Sequence, residues 1–543
     1  MDEFDYVVVG AGSAGCVLAA RLSEDADVAV AVVEAGGPDD HPDVAVPLGA
    51  LELIGSELDW NLTTVAQPGA AGRALAWPRG RVLGGCSSTN FQMWVPGHAD
   101  DFAAWGEGWS WAEVEPWFRR AEGWAGAAAE GEGLGTGGPL RLSPQRDPDP
   151  STARFLSACA EAGVGPASGG AGSPDNSGCA MVAVTQHGGR RWSAVDGYLR
   201  PALDRPGLSV FTGTTVHRVL IEDGRATGVR LADRTLRARR EVILSAGAVG
   251  SPDLLLRSGI GAPDAVRPSG ADVVVALPEV GRGLQDHLIL DLAVHAWDAT
   301  RFLDTGGEAA RRRWARDRTG PLTSNIGEAV AFARTGAGPG PPDVELIWSP
   351  MAFADDGTPV PGYTLGVVLL RPASRGTVAP SGPDPAAAPR IDPGYLTDPA
   401  DVHTLVAGVR LAERVLAAPA LRRLHDGPVA PWPAADDGLA CYVRDRVQTV
   451  FHPVGTCGIG AVVDPMLRVR GVAGLRVADA SVIPVAPRGH THAHAVLVAE
   501  RCAAFLRGVS DHRTTSELPR SGPDYGRSWN LPKRWRKSDE YLC

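Results

Sequence analysis

The residues best suited to hold an anion are three glycines near the start of the chain. Gly10, Gly12 and Gly15 stand in the run Gly10-Ala11-Gly12-Ser13-Ala14-Gly15, a G-x-G-x-x-G. The first allows a tight turn, the second lets backbone approach a pyrophosphate, and the third permits close packing of helix on strand. Glu34 lies nineteen residues beyond Gly15, where a carboxylate can accept hydrogen bonds from ribose hydroxyls. A second group is made of imidazoles. His452 follows Phe451 in F-H-P-V-G-T, and His490, His492 and His494 form H-T-H-A-H. A neutral imidazole, with an ordinary pKa of about 6.5, can take a proton at working pH. On a strand the last three would share one face and could bind a metal, whereas on a helix they splay.

These side chains need elements to position them. The glycine run follows Asp5-Tyr6-Val7-Val8-Val9, whose apolar, β-branched character suits a strand buried on both faces. Cys16–Leu22 has helical character, and a second strand over Val28–Val33 ends at Glu34. Strand, glycines, helix, strand and terminal acid in register read as a dinucleotide-binding βαβ unit. An ordinary βαβ turn is the alternative. The sequel Glu34-Ala35-Gly36 favours FAD over NAD by resemblance to flavoproteins.

Composition narrows the classes. The chain has 543 residues, 44% of them hydrophobic and 21% charged, which suits a globular core and excludes general disorder. A net charge of −11 argues against nucleic-acid binding, which needs a basic face. No apolar run approaches the roughly 18 residues of a membrane span. The start, Met1-Asp2-Glu3-Phe4-Asp5, is acidic where a signal peptide is basic. Eight scattered cysteines include no C-x-x-C, so no zinc knuckle or redox dithiol is indicated, and a reducing cytoplasm is expected.

Further motifs follow in order: RGRVLGGCSSTNFQMWVPG from Arg79, SAGAVGSPDLLLRSGIG from Ser245, GRGLQDH from Gly281, FHPVGTCGIG from Phe451 and LRVADASVIP from Leu475. This ordered set closely resembles the glucose–methanol–choline (GMC) family of FAD-dependent oxidoreductases, over residues 5 to about 505. The resemblance implies an α/β fold: a Rossmann-like FAD-binding domain interleaved with an α+β substrate domain on an antiparallel sheet. The FAD-binding domain would take 1–147, 188–288 and 450–507, the substrate domain 148–187 and 289–449, and 508–543 would be a C-terminal extension. Val344–Trp348 and Tyr363–Leu370 suit strands of the second sheet, though their alternation is imperfect. Both lysines, Lys533 and Lys537, lie in the extension.

By the same resemblance, Arg81, Gly84, Gly85, Ser88 and Asn90 belong to the loop that passes the flavin and its pyrophosphate. Val216 would meet the adenine, while Ala246, Gly247, Asp479, Ala480 and Thr491 would complete the cofactor site. Some members tether FAD through a His just before that Asn. Here Thr89 stands there, so non-covalent FAD is expected. His452 would be the general base for alcohol oxidation with hydride transfer to flavin N5, and His490 would position the substrate oxygen. Phe91, Met93, Trp94 and Phe451 would line the substrate pocket. His492 is expected near the pyrophosphate or flavin, and Asp286, His287 and His494 in structural roles. No metal is expected. The substrate would be a small-molecule alcohol, whose size the sequence leaves open, the electron acceptor dioxygen or a quinone, and a homodimer is one expected assembly. An FAD-containing lyase of hydroxynitrile-lyase type is the alternative on this scaffold. Gly458-Ile459 departs from the family's usual Arg-Met after G-T-C.

Overall fold

A computed structural model of the chain describes residues 2–127, 133–168 and 173–508. The expected C-terminal extension, with both lysines, lies outside the described residues apart from Gly508.

Valine-rich segments build the first sheet. Asp2–Val9 runs parallel to Val30–Val33 on one side and to Thr235–Leu244 on the other. Leu208–Phe211 extends the first side in parallel, and Leu475–Val477 also pairs in parallel with Thr235–Leu244. Arg225–Arg230 and Arg218–Glu222 add an antiparallel hairpin at the far side. Val7, Val8, Val30, Val32, Val242 and Ile243 are fully buried, as expected of a sheet covered on both faces. The helix Ser13–Leu22 buries most of its surface and packs against the helix Thr491–Arg507.

The second sheet is antiparallel. Its order is Gly427–Pro428, Leu288–His295, Gly362–Leu369, Val344–Ser349, Ala329–Ala333 and Gly178–Met181, with Gln448–Thr449 also paired to Leu288–His295. One face carries Leu290, Leu346, Trp348, Leu365 and Val367 against the helix Pro399–Ala417. The other carries Val330, Phe332, Ile347 and Val368 against Met93, Val95, Val182 and Val184. Both faces are therefore apolar, which explains the imperfect alternation of these strands in sequence.

This is an α/β fold with a second, antiparallel sheet. The chain passes between the sheets repeatedly: 178–181 and 288–449 supply strands to the second, while 208–244 and 475–477 return to the first.

Candidate active site

The parallel strands of the first sheet end at one edge. Beyond Val9, Val33, Leu244 and Val477 the chain continues as Gly10, Glu34, Ser245 and Ala478-Asp479. Ligands bind outside such carboxyl-terminal strand ends. Here a cavity of about 630 Å³ opens and extends to the second sheet's side.

The glycines divide their work. Gly10 has φ +94°, and a Cβ on Gly15 would lie 1.9 Å from the Gly10 carbonyl oxygen, so Gly15 serves the turn rather than the cavity. At Gly12 a Cβ would meet only Gly85 Cα, at 3.9 Å. The helices starting at Ser13 and Thr491 both open on the cavity, without a side-chain cap and without an acidic residue in the first turn. A third helix start, at Gly247, already donates its N–H to Asp479 Oδ2 at 2.9 Å. His492 adds a buried Nε2 with no partner among the described residues, while its Nδ1 meets Ser13 Oγ at 3.0 Å. An open glycine cradle, two uncapped helix starts and a spare imidazole nitrogen fit the anionic part of a dinucleotide.

Most of the expected cofactor residues line this cavity. Gly10, Gly12, Ser13, Ala14, Glu34 and Ala35 form the wall at the first turn. Arg81, Gly85, Asn90 and Val216 line it further along. Ala246, Gly247, Asp479, Ala480, His490 and Thr491 close the opposite wall. Glu34 has both carboxylate oxygens engaged, accepting N–H from Ala11 and Gly36 at 2.8 Å each. Its first visible role is thus to hold the glycine turn.

Four expected site residues do not reach the cavity wall. Gly15 packs beneath Gly10. Gly84, at φ +87°, turns the chain where a Cβ would strike Ser88 Oγ. Ser88 is fully buried and donates its hydroxyl to Leu83 O at 2.7 Å. Trp94 lies in the core and donates Nε1–H to Glu122 Oε1 at 2.9 Å, because a buried indole needs an acceptor. Phe91, Met93 and Phe451 do line the cavity.

Two imidazoles face each other at the end nearest the second sheet. The His452 and His490 rings are 4.7 Å apart between centroids, and both line the cavity. His452 Nδ1 lies 3.0 Å from His287 Nδ1. Its Nε2 has no hydrogen-bond partner among the described residues. His490 Nε2 lies 3.0 Å from Oε1 of Glu345, a buried carboxylate on the strand Val344–Ser349. The backbone N–H of His452 donates to Asp286 Oδ1 at 2.7 Å, and Asp286 Oδ2 accepts the hydroxyls of Thr449 and Tyr395 at 2.5 Å each. Phe451, just before His452, has φ +68°, and Arg79 holds its carbonyl at 2.8 Å.

Burial, then the neighbouring His490 and His287, hold His452 well below the usual imidazole range. Burial pushes His287 down to about 3 and His492 to about 4. These rings are neutral at pH 7. The H-T-H-A-H run starts a helix rather than a strand, so its rings splay: His494 turns inward to stack on Phe102, 5.7 Å between centroids. Among the described residues no group of three or more His, Cys, Asp or Glu is placed to hold a metal.

Sequence reasoning missed three contributors. Glu345 has a signal, a lone acid in the apolar run V-E-L-I-W. His287 reads as structural in the sequence, yet it touches His452. Arg79 has no local signal for its grip on the Phe451 carbonyl.

Comparison with known proteins shows the family. The N-terminal GMC oxidoreductase family model matches residues 4–289, and the C-terminal one matches 372–499. An uncharacterized GMC-type oxidoreductase of Mycobacterium tuberculosis is 42% identical over 528 residues, 93% of this chain and 99% of that protein. An alcohol dehydrogenase [acceptor] of Pseudomonas putida is 36% identical, covering 93% and 95%. The crystal structure of pyridoxine 4-oxidase from Mesorbium loti superposes with a TM-score of 0.84 at 30% identity, covering 94% of this chain and all of that one. The chain belongs to the GMC oxidoreductase family. It is therefore an oxidoreductase of a family of FAD-dependent, alcohol-oxidising enzymes. Among the described residues no helix is long and apolar enough to cross a membrane.

Proposed function

We propose that the protein oxidises the CH–OH group of a small alcohol to an aldehyde or ketone, with His452 as the proton acceptor. The observation that carries this reading is the facing His452–His490 pair, 4.7 Å between centroids, each ring anchored through one nitrogen. His452 is neutral and its Nε2 has no partner among the described residues, which is the state a general base requires. His490, held by Glu345, would position the substrate oxygen. Phe91, Met93 and Phe451 would give the alcohol apolar contacts.

Bound FAD would supply the acceptor for the hydride. Gly12, Ser13 and Thr491 would hold its pyrophosphate at the two helix starts, and Thr89 offers no imidazole for a covalent tether, so the cofactor would be non-covalent. The alcohol substrate class is supported by the name of the Pseudomonas putida relative, an alcohol dehydrogenase.

The test is anaerobic mixing with a panel of alcohols while flavin absorbance is followed. His452→Ala should remain yellow and lose about 10²–10⁴-fold in the rate of flavin bleaching. Unchanged bleaching would sink the assignment, and a lyase would not bleach the flavin in either form. The Glu345 contact favours a second assignment, in which His490 takes the proton. Under that reading Glu345→Gln costs as much rate as His490→Ala, and His452→Ala costs less.

A further inference from the structure

Arg191 is a cation with almost no access to water, 1% exposed, beneath the cavity wall. Its donors meet carbonyl-type oxygens only. Nε donates to Val44 O at 2.9 Å, and Nη1 to Asn90 O at 2.7 Å, Asn90 Oδ1 at 2.9 Å and Ser87 O at 3.3 Å. Nη2 is buried with no partner among the described residues. No carboxylate lies within ion-pair distance of Arg191 among the described residues. Asp196, the acid that acts on it from further off, accepts from Ser193 and sits 3.5 Å from Arg200 and 3.9 Å from Arg190. Burial lowers the Arg191 pKa to about 9, so the group still carries its charge at pH 7. A buried charge without a counter-anion is costly, and dipoles alone compensate it poorly.

What Arg191 grips is informative. Asn90 Oδ1 accepts from Arg191 Nη1 and also from the Gln92 N–H at 3.0 Å. Two donors on one oxygen fix which end of the amide is which. The free end is Nδ2, which has no partner among the described residues, and Asn90 lines the cavity.

We propose that Arg191 is a positioning residue that turns the Asn90 amide to donate into the cavity and serves as the buried counter-cation for negative charge on the bound flavin. This rests on the FAD reading above. The cation needs an anion, the cavity would hold one whose negative charge grows on reduction, and Asn90 bridges the two.

Sulfite titration of the FAD-loaded protein tests this without turnover. Sulfite adds its lone pair to the oxidised flavin ring, and the ring then carries the negative charge. Arg191→Met should weaken sulfite binding roughly tenfold or more and lower the flavin midpoint potential, and Arg191→Lys should recover most of both. Native sulfite affinity in the Met variant overturns the proposal. A Lys variant as impaired as the Met variant also overturns it, because packing rather than charge would then be the cause. Should the Met variant not fold, Asn90→Ala carries the test with Arg191 intact: weaker sulfite binding is expected, and native affinity overturns the role. Native protein that shows no flavin absorbance under saturating FAD overturns the FAD reading itself. Flavin present with unchanged affinities overturns only Arg191.

Discussion

Asp286 sets where the His452 ring sits. One buried carboxylate accepts the His452 N–H and the hydroxyls of Thr449 and Tyr395, and Trp77 in turn donates to Tyr395 Oη at 2.8 Å. Removing the acceptor leaves three buried donors unpaired. Asp286→Ala should therefore cost about 3–5 kcal/mol, read from urea unfolding, and slow flavin reduction by displacing His452. Asp286→Asn retains one acceptor oxygen and should lose less. Sequence alone placed Asp286 in a structural role, and the contacts agree. The same reasoning put His287 beside it in structure, because nothing local shows that two histidines 165 residues apart touch.

At the scale of elements, the first turn separates two kinds of glycine. Gly15 closes the turn against backbone, and Gly12 borders the cavity. Gly15→Ala should cost several kcal/mol, about 2–4, because its methyl would overlap the Gly10 carbonyl. Gly12→Ala should leave the unfolding midpoint of the FAD-free protein close to native while weakening FAD retention about tenfold or more, measured by fluorescence on cofactor release. Equal stability loss in both variants would contradict this division. The βαβ unit was legible because strand, glycines, helix and acid are local. The H-T-H-A-H run was ambiguous because its spacing serves a strand or a helix start. Packing of Thr491–Arg507 against Ser13–Leu22 settles it.

For the whole molecule, burial of neutral histidines ties stability to pH. His287 is held down to about 3, and His492 and His494 to about 4, against an ordinary value of 6.5. Below pH 6.5 the unfolded chain binds protons that the folded chain refuses. Stability contributed by each ring is complete above 6.5 and is lost as pH falls, by up to about 1.4 kcal/mol per pH unit. The carboxyls of Glu34, Asp286 and Asp479, raised by burial, oppose this toward the acid end. The unfolding free energy should accordingly drop between pH 6.5 and about 5, followed by urea titration at each pH. A flat profile over that range would show that these rings are solvated.

By itself the sequence determined the glycine turn, the acid after the second strand, the family and the positions of His452 and His490. Each depends on neighbours in the chain or on a motif whose spacing is kept. Only the tertiary structure decided what those side chains face. Glu345 reaches His490 across 145 residues because strand alternation turns it opposite to Leu346 and Trp348. Trp94 and Ser88 turn to the core because their polar atoms find Glu122 and Leu83 there. Arg191 meets Asn90 only because a short strand and the end of a short helix, 101 residues apart, pack together beside the cavity. Such contacts follow from which surfaces are buried together, and no local pattern encodes them.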